Sequence, residues 1–409
     1  MNAPAPGRAA FIFIFITVAL DMLALGVMVP VLPTLVVYFE HGDYSRAASV
    51  TGIFGFAWAA MQFVFSPLLG VVSDRFGRRP VVLLSNFGMA VDYVAMALAP
   101  TLGWLFVGRV VSGITSASFA TATAYIADVT PPEKRAARFG MLGAAFGLGF
   151  IVGPAIGGAL GNVSLRLPFW VAAGLSFANA AYGLFVLPES LPKEKRSAVS
   201  FKKANPIGSL ELLRAPGIVG LAVASFAMFL AHESYPSVFV LYTQYRYHWS
   251  ERTTGAALAV VGLTSALVSA VLVGRAVSRF GERGALAFGL AAGCAGFALF
   301  GLAPTTTLFV MAIPIDALFG LVTPAMQALM TDRIESGAQG RLQGAISSMR
   351  GVTGMIGPLV FTQIFARSVS TARVQIPGAP FLVAGALVLV ALFVAIATTR
   401  PHARARQTQ

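Results

Sequence analysis

The chain has 409 residues; 57% are hydrophobic and 11% charged, against about 25% charged in ordinary soluble domains. With a mean hydropathy of +0.78, it carries more apolar surface than a soluble fold of this size can cover with a wetted polar shell. That excludes a soluble enzyme, a nucleic-acid-binding domain and a disordered chain. The net charge of +13 would suggest nucleic acid in a soluble protein; in a chain whose solvent is lipid it fits basic cytoplasmic loops. One cysteine, Cys294, excludes an internal disulfide and a multi-cysteine metal site, and four scattered histidines give no ligand spacing. No resident cofactor or metal is expected.

A helix needs about 20 apolar residues to cross the hydrocarbon core. Twelve such stretches follow one another, at about 10–37, 48–71, 80–100, 103–126, 137–161, 167–187, 217–243, 254–275, 284–303, 307–331, 341–366 and 376–398. No stretch alternates as a β-barrel strand would. The first is not a cleavable signal: it is too long, holds Asp21 and runs into Pro30 and Pro33 with no small-residue cleavage pattern. The expected fold is all-α and integral to the membrane.

Orientation follows from the basic residues. With both termini in the cytoplasm, the inner segments hold 21 Lys and Arg and the outer loops 6, leaving Arg109 and Arg350 inside spans. This asymmetry is the positive-inside pattern. The longest polar interval, 188–216, divides the spans six and six. The expected organisation is an N-terminal bundle over 1–187, a cytoplasmic linker over 188–216 and a C-terminal bundle over 217–409.

A shift of 204 residues aligns the halves. Gly70-Val-Val-Ser-Asp-Arg-Phe-Gly-Arg-Arg79 falls on Gly274-Arg-Ala-Val-Ser-Arg-Phe-Gly-Glu-Arg283, Asp128 on Asp332, Gly140 on Gly344, and Gly153-Pro154 on Gly357-Pro358. Two six-span halves in this relation make a parallel repeat about the membrane normal, with a transport pathway expected where the halves meet.

Local motifs sharpen the reading. The loop after span 2, Gly70 to Pro80, places Asp74, Arg75 and Arg78 beside Gly77, which permits a tight turn; Arg and Asp at such a place can latch helix ends. Span 5 carries Gly149, Gly153 and Gly157, every fourth residue, so one helix face is smooth, and Pro154 bends it. Span 1 reads Leu20-Asp-Met-Leu-Ala-Leu-Gly-Val-Met-Val-Pro-Val-Leu-Pro33, span 3 holds Val91-Asp-Tyr93, span 4 runs from Gly108-Arg109 to Tyr125-Ile-Ala-Asp128, span 6 ends Leu187-Pro-Glu-Ser190, and span 10 holds Pro324-Ala-Met-Gln327.

The Gly70–Pro80 loop resembles the signature loop of the major facilitator superfamily. The span 5 segment resembles that superfamily's drug-antiporter motif, and the whole set resembles the bacterial tetracycline efflux family of twelve-span drug:proton antiporters. The resemblance implies two parallel-repeat six-helix bundles working by alternating access. It also implies gating roles for Gly70, Asp74, Arg75, Gly77, Arg78, Asp128, Gly149, Gly153, Pro154 and Gly157. Some positions depart from the family pattern: an acid usual near Gly293 is missing, and Ser265 and Ser269 stand where His and Gln are common.

A lone charge within lipid costs about 2.5–3.5 kcal/mol on insertion scales, so Asp21, Asp92, Arg109, His232, Glu233, Asp316 and Arg350 should face a partner or a polar chamber. Dehydration favours the neutral form of a carboxyl and a nearby guanidinium the charged form, which is what proton coupling requires. Asp21, Asp92, Arg109, Glu233 and Asp316 are the expected proton-coupling groups. Asp21 is read as a carrier or as the structural partner of Arg109, Asp92 as a transport group or a packing one, and Glu233 as a functional acid or one wetted near the outer end of span 7. Arg350 pairs with Asp316 or Glu233. Gln62, Tyr93, Tyr125, His232, Gln327 and Arg350 are the expected substrate contacts, with Trp58 as a further pocket aromatic. The expectation is a monomeric drug exporter of the bacterial inner membrane, its partners a small molecule, protons and lipid, with no nucleic acid. Its substrate is tetracycline-like or multidrug and can bring a divalent cation. A proton-coupled metabolite importer is the alternative.

Overall fold

The computed structural model describes residues 6–115, 118–196, 208–215, 217–370 and 375–399. Part of the expected linker, 197–207 and 216, lies outside the described residues, as do Arg373, Arg400, Arg404 and Arg406. Among the described residues all regular structure is helical.

Span 1 is α1 (Pro6–Met28) followed by α2 (Leu32–Phe39). Pro33 explains the break, since a proline cannot donate to the preceding turn. Spans 2 and 3 are α3 (Tyr44–Phe76) and α4 (Arg78–Leu98), separated by Gly77 alone. Span 4 comprises α5 (Leu102–Thr115) and α6 (Ser118–Val129), span 5 is α7 (Pro132–Gly161) and span 6 is α8 (Leu167–Val186).

In the second half, span 7 is α9 (Val219–His232) and α10 (Ser234–Tyr247). Span 8 runs through α11 (Glu251–Leu267) and a π-helical turn at Val268–Leu272 into α12 (Val273–Leu302), which also forms span 9. Span 10 is α13 (Thr306–Ala317), a 3₁₀ turn at Leu318–Leu321 and α14 (Val322–Thr331); α15 (Gln339–Ser370) and α16 (Ala379–Thr398) complete the set.

By length and composition alone, ten continuous helical stretches among the described residues, several joining two labelled helices, can cross a membrane. The two further spans are hidden by local geometry. Gly281 takes φ 66° inside α12 and marks the turn between spans 8 and 9, which otherwise run on as one stretch. Span 7 is divided at Glu233 into two helices of 14 residues, each too short to qualify. Among the described residues the second half thus supplies the same six crossings as the first, and the fold is all-α with twelve transmembrane helices. The single span expected over 217–243 is thus two helices, with Glu233 at their junction.

Contacts group the chain into two units: Met1–Asn205 with Pro236–Leu263 and Gly354–Pro377, and Pro206–Tyr235 with Thr264–Thr353 and Gly378–Gln409. This partition crosses the sequence halves, because two segments of the second half pack within the first unit. Small residues make that packing possible. A Cβ built on Gly158 of α7 would lie 2.9 Å from Gly255 Cα, and one on Gly55 of α3 would lie 2.8 Å from Pro358 Cβ. Ser45 also donates to the Ala366 carbonyl at 3.0 Å, and Gln244 Nε2 to Thr34 Oγ1 at 2.7 Å.

Candidate functional site: buried charges and an interhelix latch

The first unit holds a polar core inside apolar helices. Asp21 is 5% exposed, Asp92 2% and Arg109 6%. Asp21 accepts a hydrogen bond from Asn179 Nδ2 at 2.8 Å. Asp92 lies on α4 beside Ser112 and within electrostatic reach of Arg109, both on α5. Gly108 makes room for that carboxyl: a Cβ there would stand 2.9 Å from Asp92 Oδ1. Arg109 spreads its cation over several neighbours. Its Cζ lies 5.5 Å from the Trp58 ring centroid and its Nη1 3.8 Å from Met28 Sδ. Tyr93 is 1% exposed and lies within electrostatic reach of Asp21, Asp92 and Arg109. These expected residues are therefore brought together. Gln62 is half-buried one turn beyond Trp58 on α3, so the two share a helix face.

The glycine stripe of α7 is a contact surface. A Cβ on Gly149 would stand 2.5 Å from Met22 Cβ, one on Gly153 2.6 Å from Gly26 Cα, and one on Gly157 2.9 Å from Val27 Cα. Backbone meets backbone between α1 and α7. Pro154 lies inside the helix and faces Gly26, whose built Cβ would be 3.2 Å from Pro154 Cδ.

The Gly70–Pro80 loop forms a latch. Gly77 takes φ 107° and ψ 158°, a backbone region open essentially to glycine, and ends α3 while starting α4. That turn brings Arg78 Nη1 2.6 Å from Asp74 Oδ1 and Arg78 Nε 3.1 Å from Asp128 Oδ2. Arg78 Nη1 also donates to Ser73 Oγ at 2.6 Å. Glu189 Oε1 accepts the Arg78 backbone N–H at 2.9 Å, capping α4 where the helix dipole favours an anion. Ser190 Oγ donates to Asp128 at 3.1 Å. Arg75 lies over Phe76, with Cζ 5.7 Å from its centroid, and Gly70 has open space beside it. Tyr125 is placed with this latch: fully buried, it donates to the Pro188 carbonyl at 2.8 Å.

In the second unit, Arg350 Cζ lies 4.6 Å from the Phe229 centroid and within electrostatic reach of Glu233 and His232. His232 stacks on Phe319 at 6.4 Å. Asp316 of α13 packs on Gly296 of α12, where a built Cβ would be 2.8 Å from Asp316 Cβ, and it lies within electrostatic reach of Tyr235. Gln327 is half-buried on α14, its carbonyl accepting from Thr331 Oγ1 at 2.8 Å. At Gly293 a Cβ would run 2.9 Å from Phe319 Cγ, so the position lacking the expected acid is filled by an aromatic ring. Among the described residues, no group of three His, Cys, Asp or Glu is placed to hold a metal.

Three residues with evident roles escaped the sequence reading: Asn86 and Asn179, buried against Asp21, and Glu189, which caps the latch. Isolated asparagines in otherwise apolar spans were the available signal.

A family model for the Major Facilitator Superfamily matches residues 14–358 and 221–409. The chain is 40% identical over 387 residues to the class C tetracycline resistance protein of Escherichia coli, covering 94% of this chain and 95% of the relative. It is 38% identical to the class G tetracycline resistance protein of Vibrio anguillarum over 367 residues, covering 88% and 91%. Among solved structures it resembles the human organic anion transporter MFSD10, with TM-score 0.69 and 24% identity over 96% of this chain and all of that one. With twelve spans, a repeated glycine turn and a match along nearly its whole length, the chain belongs to the major facilitator superfamily.

Proposed function

We propose that the chain, a secondary drug exporter by family, carries tetracycline-like or similarly amphipathic drugs out of the bacterial cytoplasm in exchange for protons by alternating access. It works as a monomer in the inner membrane with both termini in the cytoplasm, and it uses no resident cofactor and catalyses no chemical conversion. The drug can bring a divalent cation with it. What carries the reading is Asp21 and Asp92, sealed at 5% and 2% exposure in one helical unit that also buries Arg109. Such groups are expensive inside a membrane and mark proton relays. One proton crossing 100 mV supplies about 2.3 kcal/mol, enough to drive useful export.

In the cycle, protonation from outside favours return to the inward-open state, and cytoplasmic drug then displaces the proton. Gln62 and Tyr93 contribute drug contacts in the first unit, and Glu233, Asp316, His232, Gln327 and Arg350 do so in the second; the acids among them are further proton sites. The test is a susceptibility and uptake panel in an efflux-deficient host, with tetracyclines offered with and without Mg²⁺. Drug exclusion that collapses with the proton gradient is expected. Exclusion that persists without the gradient, or full activity in Asp21→Asn combined with Asp316→Asn, overturns the reading.

A further inference from the structure

Asp21 meets two amides from two other helices. Asn179 of α8 donates from Nδ2 to Asp21 Oδ1 at 2.8 Å and to the Thr17 carbonyl at 2.9 Å. Asn86 of α4 is fully buried, with one end of its amide against both Asp21 oxygens and the other against Asn179. With nitrogen toward Asp21 it donates to Oδ1 at 3.3 Å and Oδ2 at 3.2 Å, and its oxygen accepts from Asn179 Nδ2 at 3.1 Å. Which end of an amide is nitrogen is assigned from the surrounding network, and here the network decides it. Both carboxyl oxygens then receive N–H donors, the arrangement that suits an ionised carboxyl.

A proton on Asp21 inverts that fit. The new O–H needs an acceptor, and a half-turn of the Asn86 amide puts its carbonyl in the same place. The turn aims Asn86 Nδ2 at Asn179 Nδ2, donor against donor. Asn179 must then turn too, and its Oδ1, which has no donor among the described residues, becomes the acceptor. Its donor bonds to Asp21 and to the Thr17 carbonyl are lost in the process, because an amide oxygen cannot donate to either, so the contact of α8 with α1 is rewritten.

We propose that Asn86 and Asn179 are positioning residues that read the charge of Asp21 by this paired amide rotation, so that one proton changes how α1, α4 and α8 hold one another. The inference rests on the proton-exchange reading above. The chemistry is one proton transfer: an O–H bond of hydronium breaks and one forms on Asp21. Few charged or titratable groups face the triad. On α4 Tyr93 lies within electrostatic reach of Asp21, and Asp92 and Arg109 lie within reach of Tyr93. The α7 face against α1 is glycine, with Arg138 farther along over Phe11 at 3.8 Å. Tyr182 of α8 meets Phe13 at 6.3 Å, and Tyr125 and Asp128 of α6 belong to the latch.

The test is isotope-edited infrared titration of the reconstituted full chain. The sequence has five asparagines, at 2, 86, 162, 179 and 205, so an asparagine label is nearly site-specific. The Asp21 carboxyl band is identified by its loss in Asp21→Asn. The labelled amide bands are expected to change with the same pH midpoint as that carboxyl band, and the change should disappear in Asn86→Leu. The midpoint of proton-driven uptake should move toward alkaline pH by about one unit in Asn86→Leu, because donor bonds to the charged form are the stronger ones. Asn86→Ser, which keeps a donor and an acceptor, should recover part of it. Amide bands that stay flat through the titration, or an unmoved midpoint in both variants, overturn the inference. If Asp21→Asn retains proton-driven uptake, the carrier reading itself fails; if it loses uptake while the amides stay silent, only the amide inference fails.

Discussion

Gly77 and Gly281 stand at equivalent places in the two halves, and both interrupt their helices with a positive φ, 107° and 66°. The backbone of the repeat is therefore preserved, but the charges around it are not. Where the first loop has Asp74 and Arg78, the second has Ser278 and Glu282, and Asp128 is matched by Asp332. The first loop closes a network of two ion pairs about one guanidinium. In the second, Arg275 donates to the Val271 carbonyl on its own helix and Ser278 to the Arg275 carbonyl, and among the described residues no ion pair forms there. One duplicated turn has thus become a latch in one copy and a plain connector in the other. Helix geometry alone does not close an ion-pair network; the opposite charges across the turn do.

Exchanging or deleting those charges tests the contrast, and the largest effect is expected at the centre of the network. Arg78→Ala removes both ion pairs and the bond to Ser73, and initial rates in everted vesicles should fall at least about tenfold, the equivalent of about 1.4 kcal/mol or more. Glu282→Ala should stay within about twofold in the same assay; a comparable loss there would mean both loops are latches. Next comes Gly77→Ala, whose Cβ meets the Glu189 carboxylate and Arg196 in a strained backbone. A loss of about 1–3 kcal/mol is expected from the backbone alone, read as a lower melting temperature in detergent. Gly281→Ala has open space around it and shares the glycine-only backbone, φ 66° and ψ 171°, so it should lose about 1–3 kcal/mol from the backbone without the added clash at Gly77. The smallest effect belongs to Glu189→Gln, which keeps an acceptor for the Arg78 N–H but weakens the helix-dipole term by about 0.3–1 kcal/mol. It should lower the melting temperature slightly and leave transport rates nearly unchanged.

The spans and the repeat were legible because lipid imposes a length and an apolar composition that stay readable in the sequence even where the helix is broken or two spans run together. The stripe of Gly149, Gly153 and Gly157 was legible because a period of four names one helix face. The division of span 7 was missed, although Pro236 carries its cause. A proline there cannot donate to the His232 carbonyl, so the helix ends at His232 and restarts at Ser234. The triad of Asp21, Asn86 and Asn179 has no local signature, since its members are spaced tens of residues apart and meet only when three helices pack. The filling of the Gly293 position by Phe319 is likewise a tertiary fact. The sequence shows the missing acid but not the ring that replaces it.

The contact of α1 with α7 has a mechanical consequence. Two backbones touch there at Gly26 and Gly153 with almost no side chain between them, so there are no interlocking knobs to climb over. Such a surface acts as a bearing: small rolls or slides of one rod on the other disturb few rotamers. A methyl group added at Gly153 would work as a brake, slowing turnover while leaving the charged centres chemically intact.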